Sequence, residues 1–246
     1  MDLSICGTRK ELGSAAAVAG AEKIREALAD RDEVAIVMAS AASQFEVIEA
    51  LLGEADIEWD RVVLFHLDEY IGLEGDHPAS FSKFLRDRFL AKLPCEVKRF
   101  HAINGSAEPM MECARMGGMI ADRDPVVAFI GIGENGHIAF NDPPADFDAK
   151  EPYIVVKLDE KCRQQQVGEG WFPDLKSVPK HAISMSVGQI LKAERIICAV
   201  PDVRKASAVR GAIEEEVHPD IPATILQKHP DCRLFLDQSS ASLLTR

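Results

Sequence analysis

The sequence predicts a doubly wound α/β fold, in which a mainly parallel sheet lies between two layers of helices. Short apolar runs rich in β-branched residues recur along the chain, and segments with helical periodicity separate them. The run over 126–130 is apolar throughout, as expected of a parallel strand buried on both faces. Several runs end in loops of small or polar residues, which is where open α/β sheets bind ligands.

Composition indicates a globular protein and argues against certain classes of binding partner. The chain has 246 residues, 47% of them hydrophobic, so we expect a single α/β domain over 1–246. A formal net charge of -12 argues against nucleic acid or an anionic membrane as the main partner, although local cations can still bind a phosphorylated ligand. The scattered cysteines form no C-x-x-C pair, and no signal or membrane-spanning pattern is present, so we expect a cytoplasmic protein with reduced thiols.

The first half of the chain alternates helices and strands. Leu12, Ile24 and Leu28 share one helical face, which predicts an amphipathic helix. Pro78 suits the first turn of a later helix. In order, the predicted elements are a helix over 10–29, a strand over 34–38, a helix over about 43–53, a strand over 61–67, a helix over about 76–91, a helix over 107–122 and a strand over 126–130.

The second half continues the alternation with one interruption. Residues 160–180 show no clean periodicity, and we expect a mobile or lid-like segment there. The other predicted elements are a strand over 153–158, a short helix over 184–191, a strand over 195–200, a helix with Arg204 and Lys205 near its start, a helix over 222–227 and a strand over 232–237. Strands and helices in this order form βαβ units, which predicts a Rossmann-like three-layer sandwich.

A loop of small residues follows the strand over 34–38 and precedes a helix. It consists of Ser40, Ala41, Ala42 and Ser43. Unpaired backbone amides at a helix N-terminus bind anions, so this loop is a candidate phosphate site. The alternative is that Ser40 or Ser43 caps the helix, and the loop alone favours that interpretation.

A glycine-rich stretch follows the strand over 126–130. Gly131, Gly133 and Gly136 match the dinucleotide-binding fingerprint in spacing. That fingerprint needs a helix to begin in the loop, whereas Pro143 and Pro144 disfavour helical backbone shortly afterwards. We therefore do not expect a nicotinamide cofactor, and the loop itself fits a catalytic or a purely structural role equally well.

Candidate catalytic groups also lie at strand ends. Burial would raise the pKa of Asp68 and make it a better base, although a turn-forming aspartate is the commoner case. His137 could act as a general acid or base if Asp142 fixed its tautomer. Lys205 near a helix start suits a phosphate, although a solvated lysine is the commoner case. A metal site of His66, Asp68 and His137 is conceivable, but no fuller ligand set is visible, and a packed strand residue is the favoured interpretation of His66.

Two longer motifs in this order resemble the glucosamine-6-phosphate deaminase/isomerase family. They are Leu-Asp-Glu-Tyr-Ile-Gly-Leu over 67–73 and Gly-Ile-Gly-Glu-Asn-Gly-His-Ile-Ala-Phe-Asn-Asp-Pro over 131–143. Shorter similarities occur over 77–81, 178–184 and 226–230, and the resemblance covers about 10–240. The related 6-phosphogluconolactonases share the fold but are less similar around His137.

The resemblance implies a reaction of amino sugar catabolism that needs neither a metal nor an organic cofactor. His137, oriented by neighbouring carboxylates, helps to open the sugar ring. Asp68 then moves a proton from C2 to C1, water attacks the C2 imine, and fructose 6-phosphate and ammonia result. Asn135 and Asp142 occupy the positions beside the histidine. The residues expected to bind the sugar phosphate are Ser40, Ala41, Ala42, Ser43, Glu69, Gly136 and Lys205.

The chain departs from the family pattern at several of these positions. The family commonly has Asp where Asn135 lies, Glu where Asp142 lies, and paired glycines where Ala41 and Ala42 lie. Asn135 brings no charge and should stabilise an imidazolium less than Asp would. A further phosphate-binding arginine of the family has no clear counterpart here, with Arg163 the one candidate.

These departures leave three functions open. The first is deamination of a hexosamine 6-phosphate. The others are a different sugar-phosphate isomerase or lactonase on the same fold, and a sugar-phosphate sensor without catalysis. The sequence also leaves open whether the sugar is glucosamine or galactosamine, whether the protein is under allosteric control, and whether it is a monomer or a homo-oligomer.

Overall fold

A parallel sheet of seven strands runs through the computed structural model, which describes residues 1–245. The described residues form ten strands, seven in this large sheet and three in a smaller one. In chain order they are β1 (Asp2–Cys6), β2 (Val34–Met38), β3 (Val62–His66), β4 (Asp68–Tyr70), β5 (Arg99–His101), β6 (Val127–Ile130), β7 (Tyr153–Lys157), β8 (His181–Met185), β9 (Arg195–Val200) and β10 (Cys232–Asp237). The large sheet has the order β1-β10-β9-β6-β2-β3-β5, and all its pairs are parallel. The predicted parallel sheet is therefore confirmed.

The helices connect these strands. The α-helices are α1 (Arg9–Asp30), α2 (Phe45–Leu52), α3 (Phe81–Arg88), α4 (Pro109–Ile120), α5 (Glu160–Gly168), α6 (Val187–Ile190) and α7 (Ala206–Glu214). Short 3-10 helices lie at Ala42–Gln44, Trp59–Arg61, Leu90–Lys92, Val203–Lys205 and Pro222–Lys228. Within residues 1–245 no helix combines the length and the apolar character needed to cross a membrane.

The strand order reverses between β2 and β6. The chain moves outward from β2 through β3 to β5 and then returns to place β6 on the other side of β2. The loops that follow β2 and β6 therefore diverge at this point and leave a crevice at the carboxyl ends of the strands. The loop over 40–43 and the glycine-rich stretch both begin there.

The core consists of an apolar layer on each face of the large sheet. Successive strand residues alternate between the faces, so Ile36 and Met38 pack with α1 and α2 whereas Val37 packs on the opposite face. Helix α1 approaches the sheet closely because Gly20 lies against Phe129, where a β-carbon would be 2.3 Å from the ring carbon Cζ. These two layers and the sheet form the predicted three-layer sandwich.

A small antiparallel sheet with the order β4-β8-β7 lies beside the large one. The sequence does not predict it, because the helix expected over 184–191 takes in the last two residues of β8, and residues 181–183 have no predicted element. That assignment is wrong: β8 pairs with both β4 and β7, and the helical part is only α6. Aromatic side chains pack beneath this sheet, namely Tyr70, Phe81, Phe140 and Phe172.

Other differences from the sequence predictions concern short elements. The strands β1 and β5 were not predicted, since β1 is a largely exposed edge strand and β5 has three residues. The helix expected from residue 76 begins only at Phe81. Helix α5 lies in the segment for which no regular structure was expected. Its weak periodicity explains the error, and the mobility proposed for 160–180 stays a prediction.

Candidate active site

A cleft lies at the carboxyl ends of β2, β3, β6 and β9, at the point where the strand order reverses. It is open to solvent at its mouth, and about 520 Å³ of atom-free space lies in and above it. Among the side chains that line it are Ser40, Ser43, Asp68, His137, Gln165, Gln166, Glu169 and Lys205. Residues from distant parts of the sequence therefore meet in one cleft, as the strand-end pattern predicts.

Asp68 lies at the start of β4, directly beyond the end of β3. It is 6% exposed, and within residues 1–245 no donor forms a hydrogen bond with its carboxylate. Burial, reinforced by the charge of Glu69, raises the pKa of Asp68 to about 8. A carboxyl group with a pKa near neutrality that faces a cleft can both take up and return a proton.

Glu69 does not face the cleft, because neighbouring side chains on a strand point to opposite sides. Its carboxylate accepts hydrogen bonds from the backbone nitrogens of Phe81 at 3.1 Å and Ser82 at 2.9 Å, and from Ser80 Oγ at 2.8 Å. These donors lie at the N-terminus of α3. Burial raises the pKa of Glu69, and those hydrogen bonds oppose the effect. The structure gives Glu69 a role in fixing α3 rather than the expected contact with substrate.

His137 is held at the cleft wall by the glycine-rich loop. Its ring packs against Gly133, where a β-carbon would lie 2.2 Å from His137 Cε1, so the loop needs glycine at that position. Within 133–143 no helix begins, as expected from Pro143 and Pro144. Gly136 does not line the cleft: its φ of 87° closes the turn, and its carbonyl accepts a hydrogen bond from Ala223 N.

Behind His137 lies a network of polar side chains. His137 Nδ1 is 3.1 Å from Asp142 Oδ1. Asn135 Nδ2 donates to Asp142 Oδ1 at 3.0 Å and to Asp159 Oδ2 at 2.9 Å, while its Oδ1 accepts from His137 N at 3.2 Å. Burial raises the pKa of Asp142, but its interactions with His137 and Asn135 outweigh that effect and leave it lowered. Asp142 is therefore ionised and in close contact with the imidazole, although the angle at Nδ1 is not that of a hydrogen bond.

Asn135 suits this network because it donates to two carboxylates at once. A carboxylate at that position would face Asp142 and Asp159 at about the same distances with no proton to share. Asp159 also caps α5 by accepting from Cys162 N at 2.8 Å, so the helix and the histidine are connected through one residue. Asp159, which the sequence did not identify as part of the site, thus explains why this chain has Asn135 where the family commonly has Asp.

Lys205 lies at the other end of the cleft, in the 3-10 helix that follows β9. Its side chain is 6% exposed, and Nζ is 3.8 Å from Glu169 Oε1. Burial lowers the pKa of Lys205, and the charge of Glu169 opposes that effect. The neighbouring Arg204 does not line the cleft and pairs with Asp202 at 2.9 Å and with Glu134 at 3.6 Å. A buried lysine in this position can bind an anion.

The loop after β2 offers backbone donors to the cleft. Ala41 precedes the 3-10 helix that leads into α2, and no side chain caps that helix. Ser40 Oγ is 3.4 Å from His66 Nε2, and Ser43 Oγ accepts from Gln44 Nε2 at 3.2 Å. Capping by Ser40 or Ser43 is therefore wrong, and the anion-site interpretation gains support.

Not all residues of this loop reach the cleft. Ser40, Ala41 and Ser43 line it, whereas the carbonyl of Ala42 accepts a hydrogen bond from Arg9 outside it. Arg163 also lies elsewhere, because its guanidinium donates to backbone carbonyls of residues 175 and 178. It does not supply the missing phosphate-binding arginine.

The conceivable metal site of His66, Asp68 and His137 does not form. His66 is fully buried in β3, and burial together with the charge of Arg86 lowers its pKa to about 3. In the described part of the chain, the ligand-type atoms of His137, Asp142 and Cys162 lie within 4.8 Å of one another. Asp142 already contacts His137 and Asn135, so this group is accounted for by hydrogen bonding.

Four polar residues of the site were missed from the sequence: Asp159, Gln165, Gln166 and Glu169. All belong to α5 or its ends. The segment lacks the apolar spacing that identifies a helix, and it does not follow a strand of the large sheet. Asp159 carried a usable signal, since an aspartate before a polar run is a common helix cap.

Comparison with known proteins gives a consistent match. The family described as glucosamine-6-phosphate isomerases/6-phosphogluconolactonase matches residues 7–234. A glucosamine-6-phosphate deaminase from Exiguobacterium sibiricum is 37% identical over 189 residues, which is 77% of this chain and 73% of that protein. One from Bacillus cereus strain G9842 is 32% identical over 244 residues, covering 99% of this chain and 89% of that protein.

Solved structures agree. That of a monomeric glucosamine-6-phosphate deaminase has a TM-score of 0.90 at 31% identity, covering 99% of this chain and 100% of that chain. A 6-phosphogluconolactonase from Trypanosoma brucei has a TM-score of 0.79 at 19% identity, covering 99% of this chain and 98% of that chain. At this lower identity the similarity concerns the fold alone.

Proposed function

The chain belongs to the glucosamine-6-phosphate isomerase/6-phosphogluconolactonase family, and we propose that it converts glucosamine 6-phosphate to fructose 6-phosphate and ammonia. The observation that carries the proposal is the pairing of a desolvated carboxylate with a carboxylate-bound histidine across one cleft. The extensive match to a structure of such a deaminase supports the same reaction. The lactonase alternative has support only at the level of the fold.

Asp68 moves the proton in this proposal. It takes the proton from C2 of the open-chain amino sugar, which leaves an enolamine, and returns a proton to C1. Both steps require a carboxyl group that is basic enough to accept a proton and acidic enough to release it. The raised pKa of Asp68 and the absence of a protein donor at its carboxylate, among the described residues, fit that requirement.

His137 opens the sugar ring by transferring a proton between the ring oxygen and the anomeric hydroxyl. Asp142 at Nδ1 fixes one tautomer and directs Nε2 for this transfer. Asn135 holds Asp142 in place and links it to Asp159. Water then attacks the C2 imine, ammonia leaves, and the ketose is released.

The phosphate binds between Lys205 and the loop after β2. Lys205 supplies a cation, and the uncapped backbone amides that follow Ala41 supply neutral donors. Ser40 and Ser43 add hydroxyl groups on the same wall of the cleft. This arrangement places phosphate at one end of the cleft and the reacting carbons between Asp68 and His137.

The remaining proposals concern the whole chain. Residues 1–246 act as one catalytic domain, because the cleft draws residues from positions 40 to 205 of a single chain. A structurally similar deaminase is described as monomeric, which supports activity as a monomer. The enzyme serves amino sugar catabolism in the cytoplasm and acts on a small sugar phosphate rather than on nucleic acid or membrane.

The test is release of ammonia and fructose 6-phosphate from glucosamine 6-phosphate by the wild type and by Asp68→Asn. We expect turnover by the wild type and a loss on the order of a thousandfold or more in the variant, which keeps the shape of Asp68 but cannot accept a proton. Faster hydrolysis of 6-phosphogluconolactone would favour the lactonase. Ligand-dependent stabilisation without turnover would favour a sensor.

A further inference from the structure

Glu169 places a second charge beside the lysine at the phosphate end of the cleft. We propose that Glu169 is a specificity-determining residue that weakens binding of a phosphate dianion, so that the wild-type enzyme discriminates poorly between a hexosamine 6-phosphate and its unphosphorylated counterpart. The inference rests on the proposed function, because it concerns the end of the cleft that receives the 6-phosphate. A site that only binds phosphate has no need of a carboxylate beside its lysine, so Glu169 has a different role.

The carboxylate lies close enough to offset the charge of the lysine. Lys205 Nζ and Glu169 Oε1 are 3.8 Å apart, and the two side chains are 6% and 5% exposed. Water and salt screen such a buried pair much less than an exposed one. A phosphate that approaches Lys205 must therefore either compete with Glu169 for the ammonium group or come close to a second negative charge.

The position of Glu169 is fixed by other contacts. Gln165 Nε2 donates to its Oε1 at 2.7 Å, and Trp171 Nε1 donates to its Oε2 at 3.3 Å. Gln165 is itself held by Glu134 N, which donates to its Oε1 at 3.0 Å. Both carboxylate oxygens therefore have partners, and the charge is part of a built wall rather than a mobile surface group.

No other cation of the cleft lining compensates for this charge. Lys205 is the one lysine or arginine that lines the cleft within residues 1–245, and Glu169 and Asp68 line it as well. Arg204 does not line the cleft; it pairs with Asp202 at 2.9 Å and with Glu134 at 3.6 Å, and its charge reaches Glu169 only at longer range. The oxygen Oε1 of Gln166 is buried without a hydrogen-bond partner and offers an acceptor. With one lysine and two carboxylates in its lining, the cleft binds the uncharged hydroxyl groups of a sugar more favourably than a phosphate dianion.

The experiment compares wild type with Glu169→Gln, which keeps the length of the side chain and an oxygen for Trp171. The ligand is glucitol 6-phosphate, which has no carbonyl and does not react, and binding is measured by calorimetry. We expect the variant to bind it about tenfold tighter or more, since one carboxylate charge near the phosphate is removed. Affinity for glucitol, which has no phosphate, should stay the same.

Glu160→Gln is the matched control. It removes the same charge from the exposed first turn of the same helix and should leave affinity at the wild-type value. Glu169→Ala should also bind glucitol 6-phosphate more tightly than the wild type does. It replaces Glu169→Gln in the test if the glutamine variant folds poorly. Equal or weaker binding by both Glu169 variants, or no binding by any form, would overturn the inference. Because no turnover is involved, this result is independent of whether glucosamine 6-phosphate is deaminated.

Discussion

At the scale of single residues, Asp68 and its neighbour Glu69 illustrate how local geometry separates similar side chains. Asp68 and Glu69 are adjacent and both buried, yet Glu69 is hydrogen-bonded to the N-terminus of α3 whereas Asp68 faces the cleft. Burial of Asp68 is costly to the fold, because the folded protein either holds an ionised carboxylate out of water or retains a proton that the unfolded chain would release.

That cost has a defined pH dependence. The pKa of Asp68, about 8, lies above that of an unfolded aspartate, so between the two values the folded protein retains a proton that the unfolded chain has lost. The contribution of Asp68 to the free energy of unfolding is therefore complete at low pH and declines as the pH rises through this window. Asp68→Asn should be more stable than the wild type by on the order of a few kcal/mol at about pH 8.5, and nearly equal at about pH 4.

Urea unfolding of both proteins across this pH range provides the measurement. The difference between them should grow with pH and level off above the pKa of Asp68. A difference that is the same at every pH would show that desolvation of this carboxylate does not limit stability.

The same scale gives a prediction for Asn135. Asn135→Asp places a carboxylate about 3 Å from both Asp142 and Asp159, so at neutral pH we expect a loss of about 1–3 kcal/mol in the free energy of unfolding, with reduced turnover. Combining it with Asp159→Asn supplies a donor again and should restore much of both. Thermal unfolding and ammonia release measure the two effects, and a double variant no better than Asn135→Asp would refute this explanation of the departure.

At the scale of elements, strand ends were predictable and helix α5 was not. Ser40, Asp68, His137 and Lys205 could be placed in one cleft from the sequence because each follows a strand of a parallel sheet. Glu169 could not, since α5 shows little amphipathic pattern and reaches the cleft from outside the sheet. The small antiparallel sheet was missed because strands of three and five residues resemble turns and short helices.

The packing of α1 on the sheet provides a test at this scale. Gly20→Ala puts a β-carbon 2.3 Å from Phe129 Cζ, so either the ring or the helix has to move. We expect a loss of about 1–3 kcal/mol in the free energy of unfolding, as for other overpacked cores. Gly118→Ala in α4 is the control, because nothing lies within 4 Å of its added carbon. Denaturant unfolding that gives both variants wild-type stability would mean that α1 is not tightly packed there.

At the scale of the whole molecule, the reversal of strand order between β2 and β6 explains why the site lies where it does. The loops after β2 and β6 diverge at that point, and β3 and β9 beside them contribute the carboxylate and the lysine. The fold and most of the cleft follow from the periodicity of the sequence. The polarity of the cleft around Lys205 depends on α5, and only the three-dimensional arrangement reveals it.

We propose that Asp68 carries a proton between C2 and C1 of the amino sugar, and the reaction of glucosamine 6-phosphate in deuterated water, followed by NMR, tests this role. Wild type should give fructose 6-phosphate with deuterium at C1, to the extent that the carboxyl proton exchanges with solvent. Asp68→Asn should neither form this product nor exchange the C2 proton of the substrate. Incorporation of deuterium by Asp68→Asn at the wild-type rate would contradict the account.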